Sequence, residues 1–311
     1  MPTAVIVLDF DPILRLGDLA VRLETAALGL TILIALALAA RIAARTPIDG
    51  DGGTAGAPRR NLRPDDLLFV SLGILPGAVI GGRLGYVLLH LDFYRANPAA
   101  IVDPGRGGLE LAMAVGGGAL TAAYVASLLD GALGRWLHAA ALPLLVGLGL
   151  GKAATALGGS GQGQPTDADW AVAYAGNQAW ATLGPEIPSH PAQLYEAAAS
   201  AGVLLLLVLL LAAGRFAARD GRLFLVAVAL WALARAAVAA TWRDPEVLGP
   251  LRAGQLLALL LAFLSLAIAA AVWRTARGVS GAAPGRPDRV AAPAPPGDAP
   301  RWPDPETRPP F

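Results

Sequence analysis

Seven stretches of this chain are each about 20 residues long and nearly free of charge, and that pattern restricts the fold more than any other feature. They cover approximately residues 19–40, 67–90, 109–129, 136–158, 191–213, 222–242 and 251–273. The hydrocarbon core of a bilayer is about 30 Å thick, and a helix rising 1.5 Å per residue crosses it in about 20 residues. Backbone polar groups in lipid must be bonded within their own element, so stretches of this kind read as membrane-spanning helices. Only 15% of the residues are charged and the mean hydropathy is +0.56, against about 25% charged in soluble domains. The expected fold class is an all-α polytopic membrane protein with seven transmembrane helices. Several segments are rich in Ala and Gly, which lets helix backbones approach closely where lipid provides no hydrophobic drive. There is no internal repeat.

The distribution of arginine sets the expected orientation. Arg41, Arg45, Arg59, Arg60, Arg63, Arg135, Arg215, Arg219, Arg222 and the arginines of the tail fall on one side, against Arg15, Arg95, Arg106, Arg243 and Arg252 on the other. Cytoplasmic loops carry the excess of basic residues. Residues 1–18 are therefore expected outside as a retained segment, 19–275 in the membrane, and 276–311 as a disordered cytoplasmic tail rich in Pro, Ala and Arg. Two long outer loops, 91–108 and 159–189, contain Phe93, Tyr94, Trp170, Tyr174 and Trp180 and are placed to cap a cavity. The absence of cysteine excludes disulfides, thiolate metal sites and a cysteine nucleophile. A net charge of +1 gives no stripe for a nucleic acid, and neither a cofactor nor a metal is expected.

Ionisable side chains inside the segments are the candidate site. Each costs about 2.5–3.5 kcal/mol to insert, yet Arg83, Lys152, Glu196 and Arg235 all lie within apolar runs. With the N-terminus outside, all four fall in the outer half of the membrane, close to His190 and Arg243. Three cations against Glu196 are not self-neutralising, so the group is expected to hold an anion such as a lipid phosphate, which guanidinium groups bind in bidentate fashion. The stretch "SHPAQLYEA", 189–197, opens the fifth segment. His190 as cap, Pro191 at the first helical position and Gln193 reaching back would explain a helix start. They leave Glu196 unexplained. His190, Gln193 and Glu196 span an arc of about 120°, with Tyr195 beside it.

The ordered motifs resemble the bacterial prolipoprotein diacylglyceryl transferase family. "SHPAQLYEA" is similar to its His-Pro-Ser/Thr-Gln-Leu-Tyr-Glu segment, "GQGQPTDADWAV" to its Gly-x-Pro-Thr-x-x-x-Trp loop and "GGRLGYVLLH" to its Gly-x-Arg-x-Gly-Tyr-Val helix. "GRGGLELAMAVGGG" resembles its Gly-Gly-Leu region, and "ARAAVAATWRDPEVLGPLRAGQLLAL" its arginine-containing sixth helix and the Gly-Gln start of the seventh. The resemblance implies transfer of diacylglycerol from phosphatidylglycerol to the lipobox cysteine thiol of a prolipoprotein signal peptide, with glycerol 1-phosphate leaving, in the bacterial plasma (inner) membrane. It implies catalytic roles for His190, Lys152, Arg235 and Glu196, and substrate binding by Arg83, Tyr86, Gly163, Gln193, Tyr195 and Arg243.

The chain departs from the family at several of its motif positions. Lys152 stands where the family has Arg, Thr155 where it has Asn, Ser160 where it has Glu, and Ala112 where it has a third-helix His. The family's first-helix Tyr-Gly pair falls at Glu24 and Thr25, and the Glu four residues after its sixth-helix Arg falls at Ala239. A lipid-binding relative without catalysis is the second reading. A transporter, suggested only by intramembrane charge and broken helices, is the third.

Overall fold

The computed structural model describes residues 5–48, 61–103, 105–129, 133–175 and 187–281. Trp180, Arg59, Arg60 and the tail beyond Gly281 lie outside them. Eight α-helices are described: α1 Leu23–Ala43, α2 Asp66–Leu89, α3 Leu91–Ala96, α4 Leu111–Ser127, α5 Leu133–Thr155, α6 Ala192–Ala212, α7 Arg222–Val238 and α8 Ala253–Gly281. Short 3-10 turns extend α5 through Gly158 and α7 through Thr241. The chain divides into a body ending at Val272 and a second unit from Trp273, in which α8 continues to Gly281 rather than stopping near residue 275.

Among the described residues six helices are long and apolar enough to cross a membrane, and α4 is apolar but shorter. Seventeen residues make α4 about 25 Å long. It begins later than the apolar run implies because Glu110 is extended and caps it. The Glu110 carboxylate accepts from the N–H groups of Ala112 at 2.9 Å and Met113 at 2.7 Å, satisfying donors that a helix start leaves open.

Glycine sets the closest helix contact. Gly73, Gly77, Gly81 and Gly85 recur every fourth residue on α2 and so share one face. A Cβ on Gly77 would run into the carbonyl oxygen of Gly117 in α4, one on Gly81 into that of Met113, and one on Gly85 would lie 2.8 Å from the Cβ of Glu110. The bare backbone of α2 therefore seats α4 and its capping glutamate.

An all-α fold is too simple for the polar ends. β1 (Ile6–Asp9) pairs in parallel with β4 (Val172–Ala175), β2 (Ile13–Leu16) antiparallel with β3 (Leu19–Arg22), and β5 (Glu246–Leu248) antiparallel with β6 (Leu251–Arg252). The start of the first apolar run is thus strand, not helix. Leu16 pairs with Leu19 across a two-residue loop, and Gly17, at φ 64°, takes a turn position that favours glycine. The parallel β1–β4 ribbon ties the N-terminal segment to the loop before α6.

The helices leave an apolar cavity among α1, α2, α4 and α5, about 450 Å³ in volume. Leu28 and Thr31 of α1, Ile74 of α2, Leu111 and Val115 of α4 and Gly151 of α5 are among its walls. One end of it reaches Leu111 and Gly151, the neighbours of Glu110 and Lys152.

Candidate functional site

Four ionisable side chains, three on α5, α6 and α7 and one capping α4, form a continuous chain above that end of the cavity. The Lys152 ammonium, on the last turn of α5, lies 3.1 Å from Oε1 of Glu196 in the second turn of α6. The Arg235 guanidinium of α7 donates from Nη1 to Oε2 of Glu196 at 2.6 Å and from Nη2 to Oε1 of Glu110 at 3.0 Å. Glu110, Glu196 and Arg235 are buried at 4%, 3% and 4% exposure, while the Lys152 side chain keeps 22%. Two acids offset two bases. The cluster is therefore self-neutralising, unlike the three cations against one glutamate expected above.

Two findings account for that correction. Glu110 brings a second carboxylate, and Arg83 is directed elsewhere. Arg83 donates to the carbonyls of Ile101 at 2.7 Å, Ala100 at 2.5 Å and Asp103 at 3.0 Å, with its guanidinium 5.3 Å from the Tyr94 ring. It closes the loop after α3, where the short turn at 98–101 leaves carbonyls in need of donors. Tyr86 stacks on His90 with ring centroids 4.2 Å apart and walls the turn at Gly107, where a Cβ would fall 2.6 Å from its ring.

Trp242 covers the ionic chain. Its indole lies 4.3 Å from the Arg235 guanidinium and 5.8 Å from the Lys152 ammonium, within the reach of cation–π attraction. The adjacent Arg243 donates from Nε to the carbonyl of Gly163 at 3.1 Å. The Gly163 N–H bonds the His190 carbonyl at 2.8 Å, and the His190 N–H the Gln164 carbonyl at 3.0 Å. A side chain on Gly163 would strike the Thr241 carbonyl and come within 3.0 Å of the His190 Cβ, so glycine is what lets these two segments meet.

Helix α6 starts differently from the expected cap. Its N-cap is Pro191, and no side-chain cap bond forms. His190 instead places Nδ1 3.3 Å from the Tyr195 hydroxyl, which also accepts from Trp170 Nε1 at 2.7 Å. Gln193 does not reach back. It donates to the Tyr174 hydroxyl at 3.2 Å, and Tyr174 donates to the Ala156 carbonyl at 2.7 Å. These bonds fix α6 against the end of α5, which fixes Glu196 beside Lys152.

Of the residues singled out in the sequence, Lys152, Glu196 and Arg235 therefore converge. His190, Gln193, Tyr195, Gly163 and Arg243 form the adjoining wall, while Arg83 and Tyr86 organise a neighbouring loop. Glu110 and Trp242 were missed. An acidic residue just before an apolar helix is a cap signal, and "LEL" at 109–111 shows it. Ala112, at the family's histidine position, is fully buried, packs with Ala236 and Ala258, and has its N–H capped by Glu110. No ionisable group works from there.

A family model described as prolipoprotein diacylglyceryl transferase matches residues 12–272. The phosphatidylglycerol–prolipoprotein diacylglyceryl transferase of Geobacter sulfurreducens is 32% identical over 226 residues, covering 71% of this chain and 83% of that protein. Proteins of the same name from Gluconobacter oxydans and Methylibium petroleiphilum are 34% and 36% identical over 216 and 208 residues, covering 68% and 64% of this chain and 72% and 71% of theirs.

Proposed function

The chain belongs to the prolipoprotein diacylglyceryl transferase family, and we propose that it moves a diacylglyceryl group from phosphatidylglycerol to the lipobox cysteine thiol of a prolipoprotein signal peptide. The observation that carries this reading is the ionic chain at the end of an apolar cavity. A lipid is an anion joined to hydrocarbon, and the site offers a partly exposed ammonium above about 450 Å³ of apolar space.

Lys152 takes the phosphate, because it is the cation of the chain that retains exposure. Arg235 is enclosed between two carboxylates and acts as a positioning residue, holding Glu196, which in turn orients Lys152. Glu110, capping α4, supplies a carboxylate that the family carries four residues after the arginine, where this chain has Ala239. Trp242 closes the site over the cations. His190, steadied by Tyr195 and Trp170, supplies proton transfer at the leaving phosphate. Gln193, Gly163 and Arg243 keep the wall in register, and Arg83 and Tyr86 order the loop at its rim. A fixed cation at the departing phosphate stabilises charge where it develops.

In this reading α4 is the seventh crossing, the N-terminus lies outside, the tail is cytoplasmic, and the site opens to the outer leaflet of the bacterial inner membrane. Membranes from a cell depleted of its own transferase provide the test. Expressing this chain there is expected to convert a prolipoprotein to its diacylglyceryl form, seen as the corresponding mass gain on the lipobox peptide. No mass gain, with the protein present in the membrane, rejects the function.

A further inference from the structure

We propose that Asp244 is a catalytic residue of this transfer, accepting the proton of the lipobox thiol. The assignment rests on the reaction proposed above and fills a role that the residues there leave open. Glu110 and Glu196 are committed to Arg235 and Lys152, and Ala112 has nothing to ionise.

Asp244 lies between the turn that ends α7 and strand β5, two residues beyond Trp242. Its Oδ2 is buried and has no hydrogen-bond partner among the described residues. The backbone around it is well held: Arg252 Nη1 donates to the Asp244 carbonyl at 2.6 Å, while the Arg252 N–H is bonded to Gln255 Oε1 at 2.9 Å. Oδ2 and the Cζ3 edge of Trp242 both press on Gly254. A Cβ there would lie 2.7 Å from the oxygen and 2.9 Å from the ring. Gly254 thus leaves the room in which this carboxylate sits.

Gly254 therefore has the Trp242 ring and the unpartnered carboxylate oxygen as neighbours, and the same indole lies against Lys152 and Arg235. Displacement at carbon needs nucleophile and leaving group on opposite sides. An anionic phosphate is drawn to the ammonium and repelled by the carboxylate, whereas a neutral thiol is not repelled by it. The groups acting on Asp244 come from four elements: Arg235 on α7, His90 at the end of α2, Arg252 on β6 and Glu110 before α4. Burial raises its pKa above the ordinary carboxylate value, the three cations oppose that rise, and Glu110 adds to it. A carboxylate so raised is a better proton acceptor near neutral pH than an exposed one.

The step balances. The thiol proton passes to Asp244, and sulfur attacks the glyceryl carbon that bears the phosphate. The S–C bond forms as that C–O bond breaks, and the electron pair leaves on glycerol phosphate. Asp244 then gives its proton to water.

Transfer to a lipobox peptide from phosphatidylglycerol in detergent micelles, followed by mass spectrometry across pH, tests this with Asp244→Asn and Asp244→Glu. Asp244→Asn is expected to lose about 10²–10⁴-fold in kcat, the range for a general base, with KM for the peptide and the melting temperature unchanged. Wild-type activity should fall as pH drops through the raised carboxylate pKa. The residual Asn activity should instead climb with pH towards the thiol's own pKa, near 8.5. Asp244→Glu should recover part of the rate. A selenocysteine lipobox peptide, whose selenol is already ionised at neutral pH, should restore the Asn variant to near wild-type turnover. An active wild type with an Asn variant within threefold of it, or an Asn deficit unchanged by the selenol, overturns this assignment alone. An inactive wild type overturns the function and the assignment together.

Discussion

Arg235→Gln is expected to cost about 3–5 kcal/mol of stability, the penalty for stranding buried charge, and to abolish transfer. The substitution leaves Glu110 and Glu196 facing one another with a single amide between them. Both carboxylates are nearly without solvent. The residual counter-charge, Lys152, touches Glu196 alone in that set. The measurement is thermal unfolding in detergent alongside the yield of membrane-inserted protein. Adding Glu110→Gln and Glu196→Gln removes the stranded charges, so this triple variant is expected to regain much of the stability while remaining inactive, since nothing then orients Lys152. A triple variant with wild-type turnover would show that the buried ion pairs only hold helices together.

Lys152→Gln isolates the chemistry from the fold. Lys152 is the most exposed member of the chain, and the two ion pairs of Arg235 survive its loss. Stability should change little. Turnover should drop about 10²–10³-fold, the usual loss when one fixed donor is withdrawn from a developing oxyanion. Lys152→Arg should keep most of the rate, because it keeps the charge and adds a planar fork that suits phosphate. The readout is kcat and KM for phosphatidylglycerol with the lipobox peptide saturating. A Gln variant altered only in KM would place the phosphate elsewhere.

The helices and the convergence of Lys152, Glu196 and Arg235 were legible in the sequence because charge in an apolar run is costly enough to need a reason. Their net charge was misjudged. Arg83 satisfies the same signal as Lys152, yet its donors go to the carbonyls of Ala100, Ile101 and Asp103, and no pattern in the chain marks that loop as its partner. Glu110 opens the third apolar run, 109–129, and was not counted among its charges, although it sits one residue outside α4 and pairs with Arg235 from 125 positions away. The ribbons were hidden for a related reason. Strand β1 pairs Ile6 with Val172, a contact with no local signature, and residues 19–22 look as apolar as the helix that follows them. Histidine 190 and Gln193 suited a helix cap, but tertiary partners Tyr195 and Tyr174 claimed both side chains.

In the proposed function one lipid occupies the ionic chain and the apolar cavity together. The most direct test is the structure of the protein in phosphatidylglycerol nanodiscs. Phosphate density is expected within hydrogen-bonding distance of the Lys152 ammonium, with acyl density entering the space among α1, α2, α4 and α5. A lipid phosphate bound away from Lys152, with that cavity empty of acyl chain, would contradict it.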